Sequence, residues 1–224
     1  MIMKIPVITV DGPSGVGKGV LCRAIAKKLN WHILDSGAVY RALVLSAINH
    51  RISLKHEQKL AALAANFDID FMINANKLNI LIKGEKNKQD IRNEAIGELA
   101  SDIAVLPKVR EVLLYRQRSF KKLPGLIADG RDMGTVVFPN AIIKFFLDAS
   151  FEERKKRRIL QLQKMGFDVN LNKLITRIKK RDDRDCNRLI SPLVPAVDAL
   201  RIDSTNLSVY ELTNRILTHI AQFL

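Results

Sequence analysis

A glycine-rich segment near the start of the sequence carries residue types that can bind phosphate. It follows the apolar run Val7–Val10 and has the spacing G-x-x-x-x-G-K. Glycines let backbone N–H groups curl around phosphate oxygens, the start of a helix adds its positive dipole end, and a lysine adds a mobile charge. The segment therefore predicts a nucleoside triphosphate site formed by Gly12, Pro13, Ser14, Gly15, Val16, Gly17, Lys18, Gly19 and Val20.

The end of this segment departs from the usual pattern. A Ser or Thr hydroxyl normally follows the lysine and contacts Mg²⁺, but here Gly19 and Val20 follow Lys18. Valine has nearly the shape of threonine and lacks the hydroxyl. Because a hydrogen bond to a charged group contributes about 1.5–3 kcal/mol, we expect nucleotide handling to be weakened roughly ten- to hundredfold unless another group compensates.

Polar residues end two further predicted strands. Asp35 and Ser36 follow one of them, and the run Asp129-Gly130-Arg131-Asp132-Met133-Gly134 follows another. Two carboxylates and a guanidinium bracketed by glycines suit a metal and a phosphate, with Asp129 near Mg²⁺ through water and Arg131 on phosphate. A solvated turn with a local Asp–Arg pair is the alternative.

Composition restricts the class of protein. The chain has 224 residues, of which 47% are hydrophobic, so we expect one α/β domain with an insertion, or two small domains. No apolar run reaches the ~18 residues of a membrane span, and the first strand begins too early for a signal peptide. Cys22 and Cys186 lie far apart, which predicts reduced structural thiols, no metal site of the protein's own and a cytoplasmic location.

Positive charge is concentrated in one segment. The net charge is +14, and residues 154–188 hold 13 Lys and Arg against four Asp. A nucleic-acid surface, a pocket for polyanionic nucleotides and a solvated lysine-rich face would all have this composition.

Apolar β-branched runs alternate with helical patterns along the chain. The runs are Val7–Val10, His32–Leu34, Leu126–Ala128, Ile142–Leu147 and Leu200–Ile202. Helices are predicted after the glycine loop, from Gly37 through Ala47, and from Pro107 to Phe120. This alternation predicts an α/β fold with five parallel strands flanked by helices and ligands at the carboxyl ends of the strands.

One stretch breaks this alternation. Phe67–Phe71 and Leu78–Ile82 have period-2 patterning around an Asn-rich connection, which predicts an antiparallel hairpin. A short third strand is predicted near Asp90–Arg92. We therefore expect a small inserted β subdomain at residues 65–95.

Four segments together resemble bacterial cytidylate kinases, which belong to the nucleoside monophosphate kinase-like P-loop proteins. They are the glycine loop, Asp35–Arg41, Asp129–Pro139 and Arg181–Asp185. The resemblance extends over essentially the whole chain, and the segment Asp129–Pro139 is its most specific part. It implies a P-loop kinase core at residues 1–64 and 96–224, a nucleoside-monophosphate-binding insertion at 65–95 and a helical lid at about 154–188.

The resemblance also implies roles for individual residues. Those implied at the cytosine base are Ser36, Arg110, Asp132 and Arg188; those at the ribose are Ser101, Arg181 and Asp185; those at the CMP phosphate are Arg41 and Arg131. A carboxylate with arginine and hydroxyl donors does complement cytosine, which presents an amino donor beside two acceptors. Taken alone, Ser36, Ser101 and Arg110 would suggest a loop serine, a helix cap and a surface charge.

The activity implied is transfer of the γ-phosphoryl group of ATP·Mg²⁺ to CMP, and to dCMP as well. Catalysis is assigned to Lys18, Asp129, Arg131, Arg158 and Arg181. The basic segment becomes the lid, in which Arg154, Arg157 and Arg158 share one helix face and converge on the transferred group.

Two other hypotheses stay open at this point. The acceptor could be UMP, AMP or a small metabolite, or the chain could be a basic nucleic-acid-binding protein with a vestigial nucleotide site. The scarcity of aromatic residues near the basic segment argues against the latter. We expect a monomer that binds small nucleotides, without nucleic-acid or membrane partners.

Overall fold

The computed structural model describes residues 5–74, 77–82, 84–86, 91, 93–164, 166 and 170–223. Its strands are β1 Val7–Asp11, β2 His32–Asp35, β3 Ile69–Asn74, β4 Lys77–Ile82, β5 Glu85–Lys86, β6 Leu126–Gly130, β7 Ile143–Asp148 and β8 Leu200–Asp203. Its α-helices are α1 Lys18–Leu29, α2 Ser36–Asn49, α3 Glu57–Ala65, α4 Glu94–Ile103, α5 Pro107–Ser119, α6 Phe151–Lys164, α7 Leu171–Asn187 and α8 Val209–Ile220. A single π-helical turn spans Met133–Val137.

The central sheet matches the predicted five parallel strands. Within the described residues its order is β2-β6-β1-β7-β8. Val10 of β1 and Asp35 of β2 both pair with Asp129 of β6. This register brings the carboxyl ends of three strands together at one edge of the sheet, where open α/β folds bind ligands.

Local sequence signals set the starts of several helices. Gly17, with a φ of 100°, ends the glycine loop, and α1 begins at Lys18. Pro107 occupies the first turn of α5, where its missing N–H costs nothing. Ser208 and Glu211 form a capping box at the start of α8.

The predicted hairpin is confirmed, and a third strand follows it. Antiparallel β3 and β4 pair from Ile69 with Ile82 to Asn74 with Lys77, and the third strand is β5, Glu85–Lys86. Gly84, with a φ of 75°, directly precedes β5. Of the strand predicted at 90–92 only Ile91 lies within the described residues, in a turn with its side chain buried.

Two hydrophobic clusters cover the two faces of the central sheet. One contains Leu43, Leu113 and Leu126 together with Phe67, Ile69 and Ile80 from around the inserted sheet. The other contains residues of β1, α1, β7 and α8, with Phe145 fully buried among them. A third, small cluster of Leu162, Leu174 and Ile178 joins α6 to α7. The described helices include none that is long and apolar enough to cross a bilayer.

Phe145 should contribute strongly to stability because its side chain is fully buried on β7, an interior strand of the central sheet. We expect Phe145→Ala to lower the free energy of unfolding by about 3–5 kcal/mol, since the cavity cannot collapse between packed strands. Urea denaturation monitored by circular dichroism measures this change. Tyr115→Ala, at an aromatic side chain that is 68% exposed, is the matched control and should change stability little. Equal losses in both variants would contradict the assignment of the core.

Candidate active site

The glycine loop has backbone conformations that require glycine. At Gly12, with a φ of 148°, an added Cβ would lie 2.1 Å from the carbonyl oxygen of Leu147. At Gly15, with a φ of 86°, it would lie 3.0 Å from the carbonyl oxygen of Arg154. Other side chains are excluded at both positions because they would clash with neighbouring backbone. The loop is thus a tight turn between β1 and α1.

Lys18 is buried beneath this loop. Its ammonium group donates hydrogen bonds to the carbonyl oxygens of Gly12, at 2.8 Å, and Pro13, at 2.9 Å. Burial lowers the pKa of Lys18, and the positive charge of Arg131 lowers it further. Phosphate oxygens would offer this lysine stronger acceptors than neutral carbonyls do. Val20 lies in the first turn of α1 with 45% of its surface exposed.

Two arginines of α6 hold the same loop from its other side. Arg154 donates to the carbonyl oxygen of Ser14 at 3.3 Å and pairs with Asp182 at 2.5 Å. Arg157 donates to the carbonyl oxygens of Val16 at 3.1 Å and Ser204 at 2.6 Å. Their guanidinium groups therefore already bind backbone and carboxylate oxygens in this conformation.

Asp11 connects the nucleotide loop to the segment after β6. Its two carboxylate oxygens accept hydrogen bonds from the N–H groups of Met133, at 2.9 Å, and Gly134, at 2.8 Å. Burial raises the pKa of Asp11 to about 6, although these two donors oppose the shift. The carboxylate thereby anchors the backbone that carries Arg131 and Asp132.

Asp129 lies between the glycine loop and β2. An added Cβ at Gly19 would be 3.5 Å from Asp129 Oδ2, which shows how near this carboxylate is to the loop. Burial raises its pKa, and the charge of Lys18 opposes that shift. The described residues include no cluster of three or more His, Cys, Asp or Glu side chains that could hold a metal ion by themselves.

Buried polar side chains surround Asp132, and we call this cluster the Asp132 pocket. Arg110 Nη2 contacts Asp132 Oδ2, and Arg188 Nη2 lies 3.9 Å from Oδ1. The Arg110 guanidinium lies 6.0 Å from the centre of the Tyr40 ring. Arg110 Nε and Arg188 Nη2 are buried without a hydrogen-bond partner in the described structure. A planar ligand with its own acceptors would satisfy these donors.

Ser36, a predicted site residue, contacts Gln117, which was not predicted. Buried Gln117 donates from Nε2 to Ser36 Oγ at 3.0 Å. The sequence did contain a signal for Gln117, because it is the polar third member of the buried stripe Val109-Leu113-Gln117 on α5. Tyr40 was seen only as a neighbour of Arg41 and was not assigned to the pocket.

The ribose and phosphate predictions include three residues that lie close together, Arg131, Arg181 and Asp185. Arg131 Nε donates to Asp185 Oδ2 at 2.8 Å, and although burial opposes it, the charges of Arg131 and Arg181 lower the pKa of Asp185. Ser101 Oγ and Arg181 Nε are buried without a hydrogen-bond partner in the described structure. The unpartnered Nε of Arg181, near the Arg131–Asp185 ion pair, indicates a site for a ligand with acceptor groups.

Arg41 and Arg158 contribute further guanidinium groups. Arg41 donates to the carbonyl oxygens of Ile91, at 3.1 Å, and Asn93, at 3.2 Å, and burial lowers its pKa to about 9, with the charges of Arg181 and Arg158 adding to the effect. Arg158 pairs with Glu94, a residue that the sequence reasoning did not single out.

The site therefore has three adjoining parts. They are a glycine loop with a buried lysine, a cluster of arginines, and a pocket around Asp132 with arginine donors. The first suits a polyphosphate, the second an anion that approaches that polyphosphate, and the third a planar polar ring.

Comparison with known proteins identifies the relatives of this chain. The family model for cytidylate kinase matches residues 8–222. A cytidylate kinase from Sodalis glossinidius (strain morsitans) is 55% identical over 224 residues, which cover 100% of this chain and 99% of that protein. Those from Serratia proteamaculans (strain 568) and Shigella flexneri are 56% and 54% identical, over 98% and 97% of this chain and 96% of each relative. The chain belongs to the cytidylate kinase family.

Proposed function

We propose that this protein transfers the γ-phosphoryl group of ATP to CMP and dCMP, giving ADP and the corresponding diphosphate. The observation that carries the proposal is the buried carboxylate of Asp132, held between Arg110 and Arg188 beside the Arg131–Asp185 ion pair. Family membership supports the same reaction. A buried carboxylate with free arginine donors is costly unless a ligand uses it.

The pocket around Asp132 is suited to read cytosine. Its carboxylate accepts from the exocyclic amino group, and Arg110, Arg188 and Ser36 donate toward the ring nitrogen and carbonyl oxygen. Uracil presents a carbonyl where cytosine presents the amino group, and that oxygen would face the Asp132 carboxylate. The charge of the pocket therefore favours cytosine over uracil.

The acceptor's sugar and phosphate are assigned to neighbouring groups. The unpartnered hydroxyl of Ser101 supports a hydrogen bond to the ribose, together with Arg181 and Asp185. Arg41 and Arg131 bind the phosphate. These guanidinium groups would exchange carbonyl and carboxylate partners for phosphate oxygens, which are stronger acceptors.

ATP is proposed to bind along the loop Gly12–Val20, with Lys18 on the β- and γ-phosphates. Mg²⁺ would enter with the nucleotide, and its function is to neutralise charge on the β- and γ-oxygens. The residues fit this arrangement, because the buried carboxylate of Asp129, close to Gly19, would hold the hydrated ion that enters with the nucleotide.

The transfer needs no covalent intermediate on the protein. An oxygen of the CMP phosphate forms a bond to the γ-phosphorus while the bond from that phosphorus to the β,γ-bridging oxygen breaks, and ADP leaves with that electron pair. Lys18, Arg131, Arg158 and Arg181 stabilise the charge in transit, and closure of the cleft excludes water. Positioning and electrostatics supply the catalysis.

The domain assignments follow from this reaction. We propose that residues 65–95 form the acceptor-binding insertion, that α6 and α7 form the lid within about 154–188, and that the protein acts as a cytoplasmic monomer. Basic side chains of the lid pair with acids of the same protein, including Arg154 with Asp182 and Arg177 with Glu98. This use of charge favours the kinase over the nucleic-acid-binding hypothesis.

The acceptor is tested by ADP release from ATP·Mg²⁺ with CMP, dCMP, UMP, AMP or no acceptor. We expect turnover with CMP and dCMP to exceed that with the other acceptors by at least tenfold, the order of discrimination a buried hydrogen-bonded group provides. A coupled assay for ADP measures it. A preference for UMP or AMP would overturn the roles of Ser36, Arg110 and Asp132.

Asp132→Asn tests the recognition of the base. We expect kcat/KM for CMP to fall roughly ten- to hundredfold, because the variant removes a charged hydrogen-bond acceptor and leaves two guanidinium groups without a counter-charge. Steady-state kinetics at saturating ATP measures this. The KM for ATP is the internal control and should stay within about twofold, since the glycine loop is unchanged. Unchanged CMP kinetics would contradict the assignment.

Val20→Thr tests the missing hydroxyl of the glycine loop. Valine and threonine have nearly the same shape, so the variant adds a donor to the first turn of α1 without repacking. We expect kcat/KM for ATP to rise roughly tenfold, the value of one hydrogen bond to a phosphate or to hydrated Mg²⁺. Val20→Ala is the matched control, and an equal gain in that variant would show that the hydroxyl is not responsible.

A further inference from the structure

One face of α4 carries a row of acids opposite the cations of the lid. Glu94, Glu98 and Asp102 are spaced four residues apart, so they lie on the same side of the helix. Each pairs with cations of α6 or α7. The pairs are Arg158–Glu94, Arg177–Glu98 at 3.4 Å, Lys180–Glu98 at 3.4 Å and Arg184–Asp102 at 2.5 Å.

The pair nearest the catalytic cleft differs from the others. Both Nε, at 2.5 Å, and Nη2 of Arg158 donate to Glu94 Oε1. The two side chains are 13% and 20% exposed, whereas Lys180 at the next pair is 60% exposed. Exposed pairs contribute little to stability, and a charge-assisted contact in a partly buried site contributes more. Glu94 therefore makes the strongest connection of this row.

Glu94 lies among the arginines that are proposed to handle phosphate. Its negative charge raises the pKa of Arg41 and of Arg181, against the larger lowering effect of burial, and it contacts Arg158 directly. Those three guanidinium groups also repel one another. A carboxylate thus stands where three positive side chains converge.

We propose that Glu94 is a placeholder for phosphate. Its carboxylate neutralises Arg158 and the adjacent Arg41 and Arg181 in the ligand-free protein, and an entering phosphate displaces it from Arg158. The identity of that phosphate, as part of CMP or ATP, rests on the proposed function. The exchange itself rests on the contacts of Glu94.

The exchange follows from the charges. A phosphate and a carboxylate are both anionic acceptors that match the donor fork of an arginine, and two anions beside the same guanidinium repel each other. A phosphate carries more negative charge than a carboxylate, so it is the stronger competitor. Arg158 also donates from Nη1 to Gln161 Oε1 at 2.7 Å, which keeps the guanidinium oriented when Glu94 withdraws.

Glu94→Gln tests the placeholder, because it keeps the shape and an amide oxygen while removing the charge. Without the competitor, pyrophosphate titrated calorimetrically in EDTA should bind at least about fivefold more tightly than to the wild type, the lower end of typical coupling between competing sites. The ligand-free variant should melt at a lower temperature than the wild type, because three arginines lose their counter-charge. Saturating pyrophosphate should abolish this deficit.

Glu98→Gln is the matched control, since it removes the same charge from the same helix face one turn further from the cleft. We expect its pyrophosphate affinity to stay within about twofold of the wild type, because its ion pairs are solvent-screened. The proposal would be wrong if Glu94→Gln bound pyrophosphate no more tightly than Glu98→Gln, or more weakly than the wild type. A melting deficit that pyrophosphate leaves unchanged would also overturn it, since a purely structural ion pair predicts that result.

The same preparation separates this inference from the proposed function. Turnover of CMP by the wild type tests the function, and the pyrophosphate ratio tests Glu94. If Glu94→Gln binds pyrophosphate more tightly but the wild type does not turn over CMP, the proposal that CMP is the acceptor is wrong. The proposed role of Glu94 is then supported. CMP turnover with an unchanged pyrophosphate ratio would do the reverse.

Discussion

The repulsion among buried guanidinium groups is the constraint on which the arrangement of this cleft depends. The positive charges of Arg131 and Arg158 lower the pKa of Arg181, which is already lowered by burial. Those of Arg181 and Arg158 lower the pKa of Arg41 in the same way. Such a cluster is tolerable only when acids lie within it, because unpaired buried charge is strongly unfavourable. Asp185 of α7 and Glu94 of α4 meet this need by pairing with Arg131 and Arg158. The acids therefore join α7 to the segment after β6, and α4 to α6.

The central sheet gives this charged region a rigid base. β1, β2 and β6 end side by side, so the loops that follow them start from fixed points. The two hydrogen bonds from Met133 and Gly134 to Asp11 then join the nucleotide loop's strand to the acceptor segment. A displacement of one loop is thereby transmitted to the other, which is what a reaction between two bound nucleotides demands.

The sequence was most informative where backbone chemistry leaves few choices. Glycine spacing and β-branched runs predicted the loop and the five strands, and period-2 patterning predicted the hairpin. The strand β5 was not predicted because periodicity cannot detect a two-residue strand. Glu94 and Gln117 escaped notice because their importance lies in distant partners, 64 and 81 residues away, which no local pattern encodes.

The inserted three-stranded sheet shares its apolar residues with the main body of the molecule. Phe67, Ile69 and Ile80 belong to the same cluster as residues of α2 and α5, and the rings of Phe71 and Phe120 lie 5.3 Å apart. An insertion attached in this way has no separate melting transition, because its interior is also the interior of its host. Its attachment is therefore mainly apolar, whereas α6 and α7, whose own apolar cluster is small, are joined to the glycine loop and to α4 by hydrogen bonds and ion pairs.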